Sequence, residues 1–214
     1  MATAITKLVK SDSLRLSWTR IPFATVTFGF VAMVASLLTG LPELMEYNRA
    51  AITQGEMWRI VTGHFTHWNG DHFLWDFATF VGLGAMCESQ NRRGMVWCVL
   101  GTIVAVSLYM LIAMPEVASY RGLSGIDTGL FTFLAVALFS DARRNGDRTL
   151  QWVILVCLAG LVIKLTYELF TGATLFVDHS EAAFVPIFEA HAIGAVVGIS
   201  VAVCRITKRK CSTR

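Results

Sequence analysis

Charge is what this sequence has least of. Only 15% of its 214 residues are Asp, Glu, Lys or Arg, 55% are hydrophobic, and the mean hydropathy is +0.58. Soluble domains carry about 25% charged residues, so the composition points to a membrane protein. The formal net charge of +3 gathers on no basic face or patch, which excludes a nucleic-acid footprint. The five cysteines (Cys87, Cys98, Cys157, Cys204, Cys211) show no metal-ligand spacing and no placement for an extracellular disulfide. They read as small buried hydrophobes, with Cys211 a thiol on the tail. Internal repeats, low-complexity tracts and a signal-peptide cleavage pattern are also missing, so the first apolar stretch reads as a retained span.

What is abundant is apolar length. Six stretches are long enough to cross a bilayer, which takes about 20 apolar residues per helix: Ile21–Leu41, Trp68–Cys87, Gly94–Ala113, Gly122–Ser140, Leu150–Phe170 and Ile187–Cys204. The expected fold is an all-α bundle of six transmembrane helices. It has a basic cytoplasmic segment at 1–20, a membrane domain at 21–205 and a basic cytoplasmic tail at 206–214. With both termini cytoplasmic, fourteen Lys and Arg fall on inside segments, and only Arg49, Arg59 and Arg121 lie in outside loops. That asymmetry obeys the positive-inside rule, so the net charge is a signal of topology.

Ionisable groups within a bilayer are costly and mark functional sites by default. Here they are His67, His72, Asp76, Asp127, Lys164, Glu168, Glu189 and His191. A helix rises about 1.5 Å per residue, so heights follow from the nearest cytoplasmic charge. Ser124 lies roughly 25 Å above Asp141 and Asp127 about 21 Å; His191 is about 21 Å above Arg205, and Asp76 about 24 Å above Arg92. Residues of the second, fourth and sixth spans therefore meet at one level, in the outer third of a core about 30 Å thick.

Two chemistries fit such a layer. In one, Ser124 is a nucleophile and His191 the general base that takes its proton. His72 and the Ser124 backbone N–H are then the donors for a tetrahedral oxyanion. Gly122 and Gly125 flank the serine in GLSG, while Gly194 and Gly198 in HAIGAVVG form a small-xxx-small face. These four glycines are expected to pack the fourth and sixth spans closely enough to bring His191 to Ser124. In the other chemistry, HFTHWNGDHFLWD supplies His64, His67, His72 and Asp76 to a metal or haem, since imidazole and carboxylate are both good ligands. No HExxH pattern accompanies it.

The ordered motifs resemble those of the rhomboid intramembrane serine proteases, and most closely the rhombosortase branch. EMWRIVTGHFTH is similar to the family's Trp-Arg stretch in the first loop, and HWNGDHFLWD to its His-x4-His-x3-Asn motif. GLSG is similar to the nucleophile motif, and AHAIGAVVG to the last-span His-x-x-Gly-x-x-x-Gly. The resemblance implies a Ser124–His191 dyad without a required third acid, with His72 at the oxyanion hole and His67 beside it. It implies no cofactor and no metal. Asp76 stands where most rhomboids have Asn. An ionised Asp is acceptor-only, so either Asp76 is protonated or it orients His72 without touching the oxyanion. Thr128 stands where many members have Tyr.

Asp127 is i+3 from Ser124 and level with His191, which leaves two readings: an acceptor for His191 Nδ1–H, or a structural aspartate that is protonated or paired with Lys164. Lys164 and Glu168, at i and i+4, read as a mutual pair snorkelling toward the outer surface. Glu189 and His179 read as outer-surface polar groups, and Trp58 and Arg59 as anchors of the first loop. The resemblance further implies substrates that are single-pass or C-terminally anchored membrane proteins, with Gly-Gly-type sorting tails. It places the chain in the lipid bilayer of a prokaryotic plasma membrane, multi-pass, with the active site opening to the extracytoplasmic side. Two other classes remain: an inactive rhomboid-like binding protein, and a haem- or metal-binding membrane protein.

Overall fold

The computed structural model of the protein describes residues 21–173 and 187–212, with side chains described as far as 208. The basic segment 1–20, His179 and the end of the basic tail lie outside the described residues. The described chain is helical apart from one two-stranded ribbon. In order it forms α1 (Phe23–Leu37), α2 (Leu41–Met45), β1 (Tyr47–Asn48), α3 (Arg49–Thr53), α4 (Arg59–Thr62), a 3-10 turn (Gly63–Phe65) and α5 (Gly70–Ala113). Then come β2 (Ser119–Tyr120), α6 (Ser124–Arg144), α7 (Arg148–Thr171) and α8 (Phe188–Ser212).

Four of these helices, α5 to α8, are long and apolar enough to cross a membrane. The first expected span is shorter than its apolar run: α1 has 15 residues, and Gly40 at φ +81° turns the chain into the loop that follows. The second and third expected spans are joined in α5, which is 44 residues long but broken at Asn91 (φ −165°, ψ 97°). The chain doubles back there, because Met95 Cε lies only 3.5 Å from where a Cβ on Gly84 would sit. Eleven residues of straight helix would separate those two positions by about 16 Å. Asn91 also starts the returning arm, since its Oδ1 accepts Gly94 N–H at 2.6 Å in the manner of an N-cap.

Charged side chains close the helix ends that the apolar sequence leaves open. Glu88 of α5 accepts the Ala24 and Thr25 N–H groups (3.1 and 2.8 Å) at the start of α1, and Arg92 Nε holds it at 2.7 Å. Arg49 donates to the carbonyls of Met110, Leu111 and Met114 at the end of α5 and to Val117 O. These are the orphan groups that every helix terminus presents.

Helix α6 is the axis of the bundle. It is buried along most of its length and packs most extensively on α8, then on α5. Phe133, Leu130 and Ile126 from α6 meet Met95, Val99 and Phe80 from α5 in the main core. Helix α7 is the loosest of the four long helices: only Leu150, Ile154 and Glu168 are buried, and it rests chiefly on α6.

Candidate active site

Ser124 opens α6, and the strand before it determines how it is presented. Tyr120 pairs with Tyr47 across the ribbon, and its hydroxyl donates to Gly122 O at 3.1 Å. Gly122 sits at φ +139°, a conformation that L side chains rarely adopt, and a Cβ there would lie 3.1 Å from the His72 ring. Gly122 is therefore a loop residue packed against His72, and it takes no part in the helix-packing face expected of it. Leu123 N–H donates to Asp76 Oδ2 at 3.1 Å, so the residue before Ser124 is tied to α5.

The other three expected glycines do form a helix interface. A Cβ on Gly125 would lie 3.0 Å from Ala190 O, and one on Gly194 would strike Gly125 O. One turn further, Gly198 meets Gly129 O, and Thr132 Oγ1 donates to Ala195 O at 3.1 Å. Backbone thus touches backbone at Gly125 and Ala190, which immediately follow Ser124 and immediately precede His191. Both side chains line a single cavity of about 1010 Å³, bounded by α5, α6, α7 and α8.

Asp76 is a hub on the α5 side of this cavity. Its Oδ2 lies 3.2 Å from His72 Nε2 and 3.4 Å from His67 Nε2, besides accepting Leu123 N–H. Of the two roles open to it from sequence, this geometry matches the orienting one. The His67 ring stands edge-on to His72 at 5.1 Å, and the Ser36 hydroxyl meets His67 Nδ1 at 2.8 Å. Thr128 Oγ1 donates to Ser124 O at 2.9 Å, within its own helix.

His64 does not join this group. Ser107 donates its proton to Ile60 O at 2.7 Å, so its oxygen accepts from His64 Nε2–H at 2.9 Å. Burial pushes the His64 imidazole down to about 3. Among the described residues, no three His, Cys, Asp or Glu are grouped so that they could hold a metal ion.

One expected contact is replaced by another. His191 Nδ1 lies 2.7 Å from Glu168 Oε2 of α7, so Glu168 occupies the position expected of Asp127. Asp127 is buried on the cavity wall, and its Oδ1 has no hydrogen-bond partner among the described residues. Lys164 and Glu168 do pair, Nζ to Oε1 at 2.5 Å, but they face inward: Glu168 is 3% exposed, and Lys164 Nζ lies 3.5 Å from His191 Nδ1. Glu189, expected on the outer surface, is half-buried on the cavity wall. Their i,i+4 spacing shows that Lys164 and Glu168 share a face, but only the packing of α7 shows where that face points.

The segment between α1 and α5 meets Arg121 beside the cavity and is braced from within by Arg59. Arg121 reaches Glu46 Oε2 at 2.9 Å and stacks over Trp68 at 4.6 Å. Arg59 is buried and donates to Glu43 O (2.8 Å) and Glu46 O (3.2 Å), as expected of a loop anchor, while Trp58 lies exposed beside it. From sequence Arg121 counts only as outside charge.

Compared with known protein families, residues 54–208 match the rhomboid domain, a span that holds His72, Asp76, Ser124, Asp127, Glu168 and His191. No curated protein sequence matches the chain.

Proposed function

The chain belongs to the rhomboid family, and from that premise we propose that it is an intramembrane serine endopeptidase, with Ser124 as nucleophile and His191 as general base. The observation that carries this reading is the Gly125–Ala190 backbone contact, which sets both residues on one cavity wall. Ser124 Oγ attacks the scissile carbonyl while His191 Nε2 takes its proton, and the C–O bond of a tetrahedral intermediate forms. The Ser124 N–H and His72 stabilise the oxyanion. Collapse breaks the C–N bond, His191 returns the proton to the leaving amine, and an acyl-enzyme remains. Water, deprotonated by His191, then releases the new carboxylate and regenerates Ser124.

In this reading the four long helices, with α1 and the two arms of α5 counted separately, make six crossings with both termini cytoplasmic. The protein resides in a plasma membrane and its cavity opens to the extracytoplasmic side. Substrates are single-pass or C-terminally anchored membrane proteins, and the rhombosortase-like motifs favour a Gly-Gly-type sorting tail.

The test is fluorophosphonate labelling of the detergent-purified protein beside Ser124→Ala and His191→Ala. Labelling of the parent that vanishes in both variants supports the proposal. A folded parent that takes no label and cleaves no transmembrane substrate would turn the reading toward a rhomboid-like binding protein.

A further inference from the structure

Glu168 is a buried carboxylate in the cavity for which a two-residue dyad has no use. We propose that it is a positioning residue for the reaction: its carboxylate accepts His191 Nδ1–H, which extends the dyad to a Ser124–His191–Glu168 relay. The proposal rests on the protease reading above and adds a third member that such a reading does not require.

Three observations support it. The first is geometric. His191 Nδ1 and Glu168 Oε2 are 2.7 Å apart, and the two residues are 5% and 3% exposed, so water does not compete for either atom. The second is the division of labour within the carboxylate. Oε1 holds Lys164 Nζ at 2.5 Å, and Oε2 is left to the imidazole. The ammonium supplies the counter-charge that a buried carboxylate needs.

The third is the choice of tautomer. An ionised carboxylate is acceptor-only, and a bare Nδ1 lone pair facing it at this distance would be repulsive. The proton therefore sits on Nδ1, between the two atoms. Lys164 Nζ is farther away, at 3.5 Å, and cannot donate to a nitrogen that already carries hydrogen. With Nδ1 protonated, a neutral imidazole has its lone pair on Nε2, the form a general base requires. When Nε2 takes the Ser124 proton, the resulting imidazolium lies against an anion already in place, and Glu168 itself never needs to be protonated.

Other charged groups also face this cluster. They line the same cavity: Asp127 from α6, His72 and Asp76 from α5, Glu189 from α8, and Glu116 and Arg121 from the segment between α5 and α6. Asp127 is the competing candidate for the same role, so both carboxylates belong in the test.

The experiment measures cleavage of a transmembrane substrate by the parent, Glu168→Gln and Asp127→Asn in detergent, with Ser124→Ala as the blank. The expected result is that kcat falls at least about tenfold in Glu168→Gln, toward the loss seen when a triad acid is neutralised. KM should stay near the parent value, and Asp127→Asn should lose less kcat than Glu168→Gln. A Glu168→Gln variant with the parent's kcat overturns the relay while the dyad stands.

A second readout needs no variant of Glu168 to fold. In 15N-histidine-labelled parent, the relay requires a downfield Nδ1 proton on His191, assigned by its absence in His191→Ala. A His191 protonated only on Nε2 overturns the proposal, as does a downfield proton in a parent that neither labels nor cleaves. In that last case the protease reading falls too, and the Glu168 contact is a structural bridge.

Discussion

Asp76 gathers three groups from two parts of the chain: the Leu123 amide ahead of Ser124 and the rings of His67 and His72. Removing its carboxylate strands a buried amide proton and frees both rings. Asp76→Ala is therefore expected to cost about 3 kcal/mol of stability and to abolish fluorophosphonate labelling. Asp76→Asn keeps an acceptor for Leu123 N–H and adds a donor for an imidazole, so it should melt close to the parent; thermal unfolding in detergent reads both. If Asp76→Ala melted like the parent, the hub would have no structural weight. Much of this site was legible in the chain. Helical rise alone puts Ser124, Asp76, Asp127 and His191 at one level. Rise carries no azimuth, however, and that is why Asp127 is the natural choice from sequence for His191 Nδ1 while Glu168 makes the contact. Choosing between them requires knowing which face α7 turns inward, and a helix with so little burial carries almost no pattern to reveal it.

At the scale of elements, the contact that joins the two proposed catalytic residues is backbone against backbone. Gly194→Ala would drive a methyl into Gly125 O, and neither helix can yield without moving Ser124 or His191. A loss of about 3 kcal/mol is expected, at the upper end of overpacking costs, together with loss of activity. Gly82→Ala is the matched control, since nothing lies within 4 Å of a Cβ there. It should be neutral or gain up to about 1 kcal/mol from helix propensity. Equal melting of the two variants would mean that the α6–α8 seam is not tight. The seam was readable from sequence at Gly125, Gly194 and Gly198, because small-xxx-small spacing is a local pattern. Gly129 stands four residues after Gly125 and carries the same mark, and a Cβ there would meet Thr102, Gly194 O and Cys98 from other helices. The ends of the elements were harder to read. Glu88 and Arg49 act as caps on helices more than sixty positions away in sequence, and Asn91 breaks α5 with its own side chain. Hydropathy records none of these.

For the whole molecule, the uneven packing of α7 matters most. A bundle that only had to be stable would bury α7 as it buries α6, yet α7 is held near its start by Leu150 and Ile154 and near its end by Glu168. Between those points Cys157, Gly160 and Leu161 form one side of the cavity, across from Trp75, Thr79 and Leu83 of α5. In the proposed reading a membrane-embedded substrate reaches Ser124 from the lipid between two helices, and α7, with so little of its length buried, borders one such seam. Cys157 offers a way to obstruct it, because it is exposed on α7 while Cys87 and Cys98 are buried. In a Cys204→Ser, Cys211→Ser background, a bulky maleimide on Cys157 is expected to slow cleavage of a transmembrane substrate several-fold. Fluorophosphonate labelling of Ser124 should persist, since a small probe needs no passage between helices. Equal loss of both activities would mean that the adduct disturbs the reactive residues themselves, and unchanged cleavage would mean that substrate reaches Ser124 without passing α7. Only the split result fits a helix left loose so that a substrate can pass, with Glu168 fixing its far end to His191.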